Sequence, residues 1–365
     1  MLGAIRHAVL IGSVQWLMVV SYAWVWMRSR MGWPFGEEKL SRIHRGHARR
    51  FKRVASTLKG SNIKVGQLVS LQPHLVPPEY IEEFRSMRDE VTPTPWPEVA
   101  AVLAEQLGPL DTHFATIEHE PIASASMAQV HAATLPSGER VAVKVLHPGL
   151  ERSVAVDMWL LRRLVSFFQL FMARFDLWQI YKEIDRPLRK ELDLEAEGRA
   201  TELLGGEIAD LGVIVPTIHW PLTTRRVLTM SFIDGVPLSD RAQMDAWGVD
   251  RRALMVVYLR AFFRQAFEGG HFHCDPHPAN AFCTPTGALA LIDFGMVKQI
   301  PEQVRNGLVK EMLGAFLNHP EMYADGIIDR GVVDRRERDR LIEFARETFA
   351  DEAMRATIFD HDPQS

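Results

Sequence analysis

A mixed α+β chain in two lobes, with a helical extension ahead of them, is what this sequence predicts. Three observations predict it. Residues 117–147 read as strands around a tight small-residue loop, with a Pro136-Ser137-Gly138 turn leading into the strand Val141-Ala142-Val143-Lys144. Long helical patterns follow: Asp157 to Phe175 carries apolar residues at Leu160, Leu161, Leu164, Val165 and Phe168, and Arg251 to Glu268 is a strong helix stopped by Gly269-Gly270. Finally, a short apolar run, Ala288 to Ile292, ends on a carboxylate, Asp293, as a buried strand that presents an acid at its tip would. The 365 residues, 47% hydrophobic and 24% charged, suffice for one two-lobed domain with additions. A net charge of −4 argues against a nucleic-acid binder. The two cysteines, Cys274 and Cys283, make no disulfide framework and fit a reducing compartment.

The stretch around those two cysteines carries the chemistry. His273-Cys274-Asp275 is followed five residues after Asp275 by Asn280 and eighteen after it by Asp293-Phe294-Gly295. This is the layout of a protein-kinase catalytic loop and its metal-binding turn. Phosphoryl transfer needs little covalent work and much placement of charge. Asp275 stands where a carboxylate orients the attacking hydroxyl or accepts its proton. Asn280 and Asp293 offer the hard oxygen ligands that Mg2+ prefers. The fold expected is therefore a two-lobed protein-kinase-like α+β fold, with a helical N-terminal extension and a helical insertion in the N-lobe. The rival readings are a capped turn with Pro276 and Pro278 as breakers, and a zinc site from His271, His273, Cys274 and His277. The latter lacks the paired spacing of zinc motifs.

Upstream, Ala123-Ser124-Ala125-Ser126-Met127-Ala128-Gln129-Val130 has the form of a nucleotide-cradling glycine loop with every glycine replaced by alanine. Alanine resists positive φ, so this loop is stiffer and approaches phosphates less closely. Lys144 is placed on its strand to reach the α- and β-phosphates of ATP. Such a lysine needs an acidic partner, and the run Glu191-Leu192-Asp193-Leu194-Glu195-Ala196-Glu197 offers several. Read as one helix, it puts Glu197 four after Asp193 and roughly on its face.

The amino-terminal end differs in kind. Ala8 to Met27 has no charge and is long enough to cross a bilayer core as a helix. Trp16, Tyr22, Trp24 and Trp26 supply interfacial aromatics, and nine basic residues between Arg28 and Arg53 face only Glu37 and Glu38. A spanning anchor with the remainder cytoplasmic is the reading; a cleaved signal peptide and a helix lying in the interface are its rivals. Residues 38–60 read as a basic helix suited to anionic lipid. Lys64-Val65-Gly66-Gln67 puts a cation and an amide around a flexible point, the Pro73–Pro78 turn separates two helices, and Thr92 to Pro97 is a linker into a helix from Trp96 to Leu107.

Taken together, these motifs resemble the UbiB or aarF-domain-containing (ADCK) family of atypical kinase-like ATPases. The resemblance runs from about Ile43 to Asp329. It rests on Lys64-Val65-Gly66-Gln67, the alanine loop with Lys144, Glu191-Leu192-Asp193, Glu197, the Asp275–Asn280 loop and Asp293. It implies that Lys144, Glu197 and Asp275 are catalytic, and that Ala123, Ser124, Ala125, Ser126, Met127, Ala128 and Val130 line the nucleotide. It also implies that Asn280 and Asp293 hold Mg2+. Lys64, Gly66, Gln67, Glu191 and Asp193 become regulatory, the Lys64–Gln67 segment folding over the site and blocking protein substrates. Ser124, Ser231 and Ala279 depart from the family pattern; His277 is the family's replacement for the protein-kinase lysine.

The expected organisation is a membrane segment over 1–30, a helical extension over 31–116, an N-lobe over 117–235 with an insertion at about 149–190, and a C-lobe over 236–365. The resemblance implies Mg-dependent ATP binding and hydrolysis supporting ubiquinone or other isoprenoid-lipid biosynthesis, at the cytoplasmic face of a bacterial inner membrane. Its partners are then ATP, anionic lipid, and quinone or prenyl-lipid precursors with their enzymes. The alternatives are a true protein or small-molecule kinase and a pseudokinase scaffold for membrane enzymes.

Overall fold

The computed structural model describes residues 2–58, 61–70, 76–85, 87, 93–170, 176–273 and 280–350. The chain divides into two units, Met1–Arg199 with Pro216–Phe232, and Ala200–Val215 with Ile233–Ser365.

The first unit opens with helices α1 (Leu2–Arg30), α2 (Glu37–Leu58), α3 (Ser61–Ser70), α4 (Pro78–Arg85) and α5 (Trp96–Leu107). Strands β1 (Thr116–Ile117), β2 (Ala123–Ser124), β3 (Ala128–Thr134) and β4 (Arg140–Leu146) follow. Helices α6 (Leu150–Gln169), α7 (Leu177–Lys190) and α8 (Leu194–Ile208) come next, and then β5 (Val227–Ser231). The division between units falls inside α8. The sheet is antiparallel in the order β1-β3-β4-β5, with β2 also on β3.

The alternation of β4 sorts the core. Val141, Val143 and Val145 pack with Val99, Val102 and Leu103 of α5, whereas Ala142 and Leu146 join Leu150, Val154 and Met158 of α6, Leu188 of α7 and Leu194 of α8. Two-residue periodicity therefore sends Lys144 toward the helices on the second face. Val65 of α3 belongs to that same cluster, so the extension is built into the core.

The acidic run is not one helix. Helix α7, which carries Pro187, ends at Lys190, and Asp193 begins α8 by accepting the Ala196 N–H at 3.0 Å. An aspartate that captures a backbone N–H three residues on acts as an N-cap, so Glu191 and Asp193 lie at a break between helices.

The second unit contains β6 (Val236–Pro237), α9 (Arg241–Ala246), α10 (Arg251–Arg264), β7 (His271–His273), β8 (Ala281–Cys283), β9 (Leu289–Leu291) and β10 (Val297–Gln299). Helices α11 (Glu302–Phe316), α12 (Pro320–Asp329) and α13 (Arg338–Ala350) complete it. Asp250 caps α10 by accepting from the Arg252 and Ala253 N–H groups. The α10 pattern passes into a π-helical turn, Gln265–Gly269, and stops at Gly270, whose φ of +75° suits glycine. The chain then enters β7, which pairs with β10, while β8 joins β6 to β9.

Helices α11 and α12 cross through glycines. A β-carbon on Gly307 would stand 2.7 Å from the Gly326 carbonyl oxygen, and one on Gly326 would collide with the Glu311 backbone. Gly326→Ala is expected to lower unfolding free energy by about 1–3 kcal/mol, the usual cost of forcing volume into a packed contact. Thermal unfolding measures it, and an unchanged melting temperature would refute so close a crossing.

Candidate functional site

In the first unit the centre is Lys144. It sits mid-sheet, opposite Val130 of β3 and Leu228 of β5. Its Nζ meets Glu197 Oε1 at 2.6 Å, with Glu197 buried (6% exposed). Helix α8 comes close enough for this because Gly198 carries no side chain: a β-carbon there would stand 3.2 Å from Leu228 and Trp220. A carboxylate held this way fixes the position and charge of the lysine.

The alanine loop is the turn between β2 and β3. Ala123 pairs with Val130 and Ser124 with Gln129, and the Ala125 N–H donates to the Ala128 carbonyl at 2.9 Å. No residue of this loop has positive φ, which is why alanine is accommodated. Ser126 and Met127 are buried. His147 ties the loop down from behind: its Nε2 donates to the Ala125 carbonyl at 2.9 Å, its Nδ1 meets Thr94 Oγ1 at 2.9 Å, and its N–H donates to the Met127 carbonyl. The sequence reading passed over His147, since nothing in its spacing marks it.

Beside the loop's core, α3 is fastened by Lys64, whose Nζ lies 2.8 Å from Glu191 Oε1. Gly66 faces Met87, whose thioether would have to move for any larger residue. Gln67 lies on α3, its side chain outside the described residues. Asp193, besides capping α8, faces Arg199 and Arg225 at 4.0 and 3.6 Å. The Glu191–Asp193 motif thus serves two separate contacts.

In the second unit, Asn280 and Asp293 are brought together by the start of the β8–β9 ladder. Ala281 opposes Leu291, and the Ile292 N–H donates to the Asn280 carbonyl at 3.1 Å. Asp293 Oδ1 accepts the Gly295 N–H at 2.9 Å, which sets the carboxylate's orientation. His273 Nε2 donates to the Asp293 carbonyl, and its ring meets buried Phe294 edge-on at 5.6 Å. An amide oxygen and a carboxylate, held by backbone hydrogen bonds, are a donor set that fits Mg2+. Asp275, Cys274, His277 and Ala279 lie outside the described residues. Of the zinc rivals, His271 is engaged with Glu207 Oε1 at 2.7 Å. Among the described residues, no group of three or more His, Cys, Asp or Glu gathers as a metal site. Burial pushes the Cys283 thiol up, away from reactivity.

The fold and these residue placements define a protein-kinase-like protein with a helical N-terminal region. The particular family follows from comparison with known proteins. The ABC1 atypical kinase-like domain model matches residues 86–322, and the chain belongs to that family, the UbiB/ADCK group. It is 32% identical to the AarF domain-containing protein kinase 1 of Xenopus tropicalis, over 73% of this chain and 52% of that protein. It is 34% identical to the protein ACTIVITY OF BC1 COMPLEX KINASE 3, chloroplastic, of Arabidopsis thaliana, over 71% of this chain and 37% of that one. The solved Rv3197–erythromycin complex of Mycobacterium tuberculosis superposes with a TM-score of 0.57 at 26% identity, over 85% of this chain and 81% of that one. The chain spans about half the length of the curated relatives it matches.

Proposed function

We propose that the chain is a membrane-associated, Mg-dependent ATPase of the atypical kinase type, acting in support of ubiquinone or other isoprenoid-lipid biosynthesis. The observation that carries the ATP reading is the buried Lys144–Glu197 pair at 2.6 Å. Lys144 binds the α- and β-phosphate oxygens, and Glu197 keeps it extended toward them. The alanine loop covers the phosphates. Asn280 and Asp293 would hold Mg2+, which neutralises charge on the phosphates when bound. Asp275 takes the role of orienting the attacking hydroxyl or receiving its proton. The Lys64–Glu191 pair supports a regulatory role for α3, which would keep protein substrates from the site.

A true kinase is the second reading, and the names of the kinase relatives favour it. Residues 1–30 are assigned to membrane association, with the remainder cytoplasmic, where the excess of basic residues after Arg28 suits an anionic leaflet. Purified chain is expected to release phosphate slowly from Mg-ATP while labelling no peptide acceptor. Efficient peptide labelling would transfer the assignment to the kinase reading. The alanine loop supplies a graded check. Ala125→Gly is expected to change nucleotide affinity several-fold, about 1 kcal/mol of backbone preference. Identical affinity and turnover in titration would move control of the site to the Lys64–Gln67 segment.

A further inference from the structure

Helix α1 is long and apolar enough to cross a membrane from His7 to Arg30, yet it is fastened lengthwise to its own unit. At one end His7 is buried, its Nε2 2.6 Å from Asp157 Oδ1 on α6. Asn62, two residues before Lys64 on α3, donates to the other oxygen of the same carboxylate at 3.0 Å. At the other end the Tyr22 hydroxyl meets His44 Nδ1 at 2.6 Å and the Tyr80 hydroxyl at 3.0 Å. Between them Ile11 and Val14 are buried and Met18 packs on the α2–α4 cluster. These residues repeat at three and four, one face of a helix, over about 22 Å at 1.5 Å per residue.

The opposite face is apolar as well. Val9, Trp16, Val20, Trp24 and Met27, with Leu17 beside Trp16, are exposed at steps of seven, four, four and three. Ser13 falls in this stripe, but its hydroxyl is satisfied by the Leu10 carbonyl at 2.8 Å. At the stripe's carboxyl end, cations sit on aromatic rings. The Arg28 guanidinium lies 4.6 Å from the Phe35 ring centre and 5.4 Å from that of Trp24. Lys39 covers Phe35 and Arg30 covers Trp26. Aromatic rings interleaved with Arg and Lys are the composition of headgroup depth. The nine basic residues from Arg28 to Arg53, against Glu37 and Glu38, occur in a chain whose net charge is −4.

From this geometry we infer that α1 does not cross the bilayer: it lies in the plane of one anionic leaflet, its Val9–Met27 stripe in the acyl boundary and its His7–Tyr22 stripe on the protein. The inference presupposes the membrane association proposed above and specifies its mode. A spanning α1 would have to carry Asp157, Asn62 and His7 into hydrocarbon or abandon them. The first course places an ionisable cluster in hydrocarbon, and the second strips the buried Asp157 carboxylate of its hydrogen bonds. Lying in-plane keeps both polar ends and covers the apolar stripe.

The test uses the full chain with an amino-terminal epitope tag. In cosedimentation with phosphatidylcholine vesicles, binding is expected only when phosphatidylglycerol is included. The double variant Trp16→Glu/Trp24→Glu should bind about tenfold or more weakly, two interfacial anchors having been made anionic, with its melting temperature unchanged. In inside-out membrane vesicles from bacterial expression, externally added protease should remove the tag. A tag protected in the lumen would show a spanning helix, overturning the in-plane mode while leaving membrane association standing. Absence of binding to both vesicle types, with a dimer in solution that the double variant abolishes, would give the stripe to a second copy of the chain and overturn both.

Discussion

The Asp293→Asn variant is expected to lose the stabilisation that Mg-ATP confers while unfolding, without nucleotide, at the temperature of the parent chain. The substitution keeps the oxygen that accepts the Gly295 N–H, and the His273 contact is to the backbone carbonyl of Asp293, so the local structure stands. What disappears is the negative charge, and Asn280 beside it is neutral. A ligand at about a hundred times its Kd stabilises by about 2.7 kcal/mol, which for a chain of this size is a melting shift on the order of 4 °C. The variant should show almost none of it in a thermal-shift titration with Mg-ATP. An undiminished shift would remove Asp293 from the metal site.

Removing Glu197 alone is expected to cost more stability than removing both members of its pair. Glu197→Ala leaves the largely buried Lys144 ammonium without its 2.6 Å partner. Breaking a buried pair costs on the order of 3 kcal/mol, because the remaining charge stays desolvated. Replacing both partners by apolar side chains, Lys144→Met with Glu197→Leu, removes that desolvated charge and should restore most of the loss. The double variant should nevertheless bind no nucleotide, since the phosphate-binding cation is gone. Chemical denaturation of the four forms measures the coupling, and nucleotide titration separates stability from binding. Additive losses would mean that the pair is not energetically coupled, and Glu197 would lose its assigned role.

The sequence by itself determined the chemistry that is encoded at short range. Asn280 and Asp293 flank the β8–β9 hairpin and are brought together by it, so a local element is enough to make them neighbours. The same is true of Lys144, whose side of the sheet follows from alternation along β4. Helices α5 and α10 were legible, the first from the proline-rich linker that opens it and the second from the Gly269-Gly270 that stops it. The break at Glu191–Asp193 was not, because an acidic run reads as helix until Asp193 is seen to take the Ala196 N–H. Helix α12 and strand β7 were also missed, one being short and glycine-bearing and the other only three residues long.

The tertiary structure alone decided the long-range pairings. Lys144 reaches Glu197 across 53 residues, and His7 reaches Asp157 across 150. Composition offered Lys144 several carboxylates; the close passage of α8 at Gly198 selects one. The uncharged run from Ala8 to Met27 looks the same whether it spans, lies flat or packs. Hydropathy counts apolar side chains without saying which of them the protein itself covers. Only the polar contacts at His7 and Tyr22, which cannot be left without partners away from water, decide which face of that helix belongs to the protein and which is left for another surface.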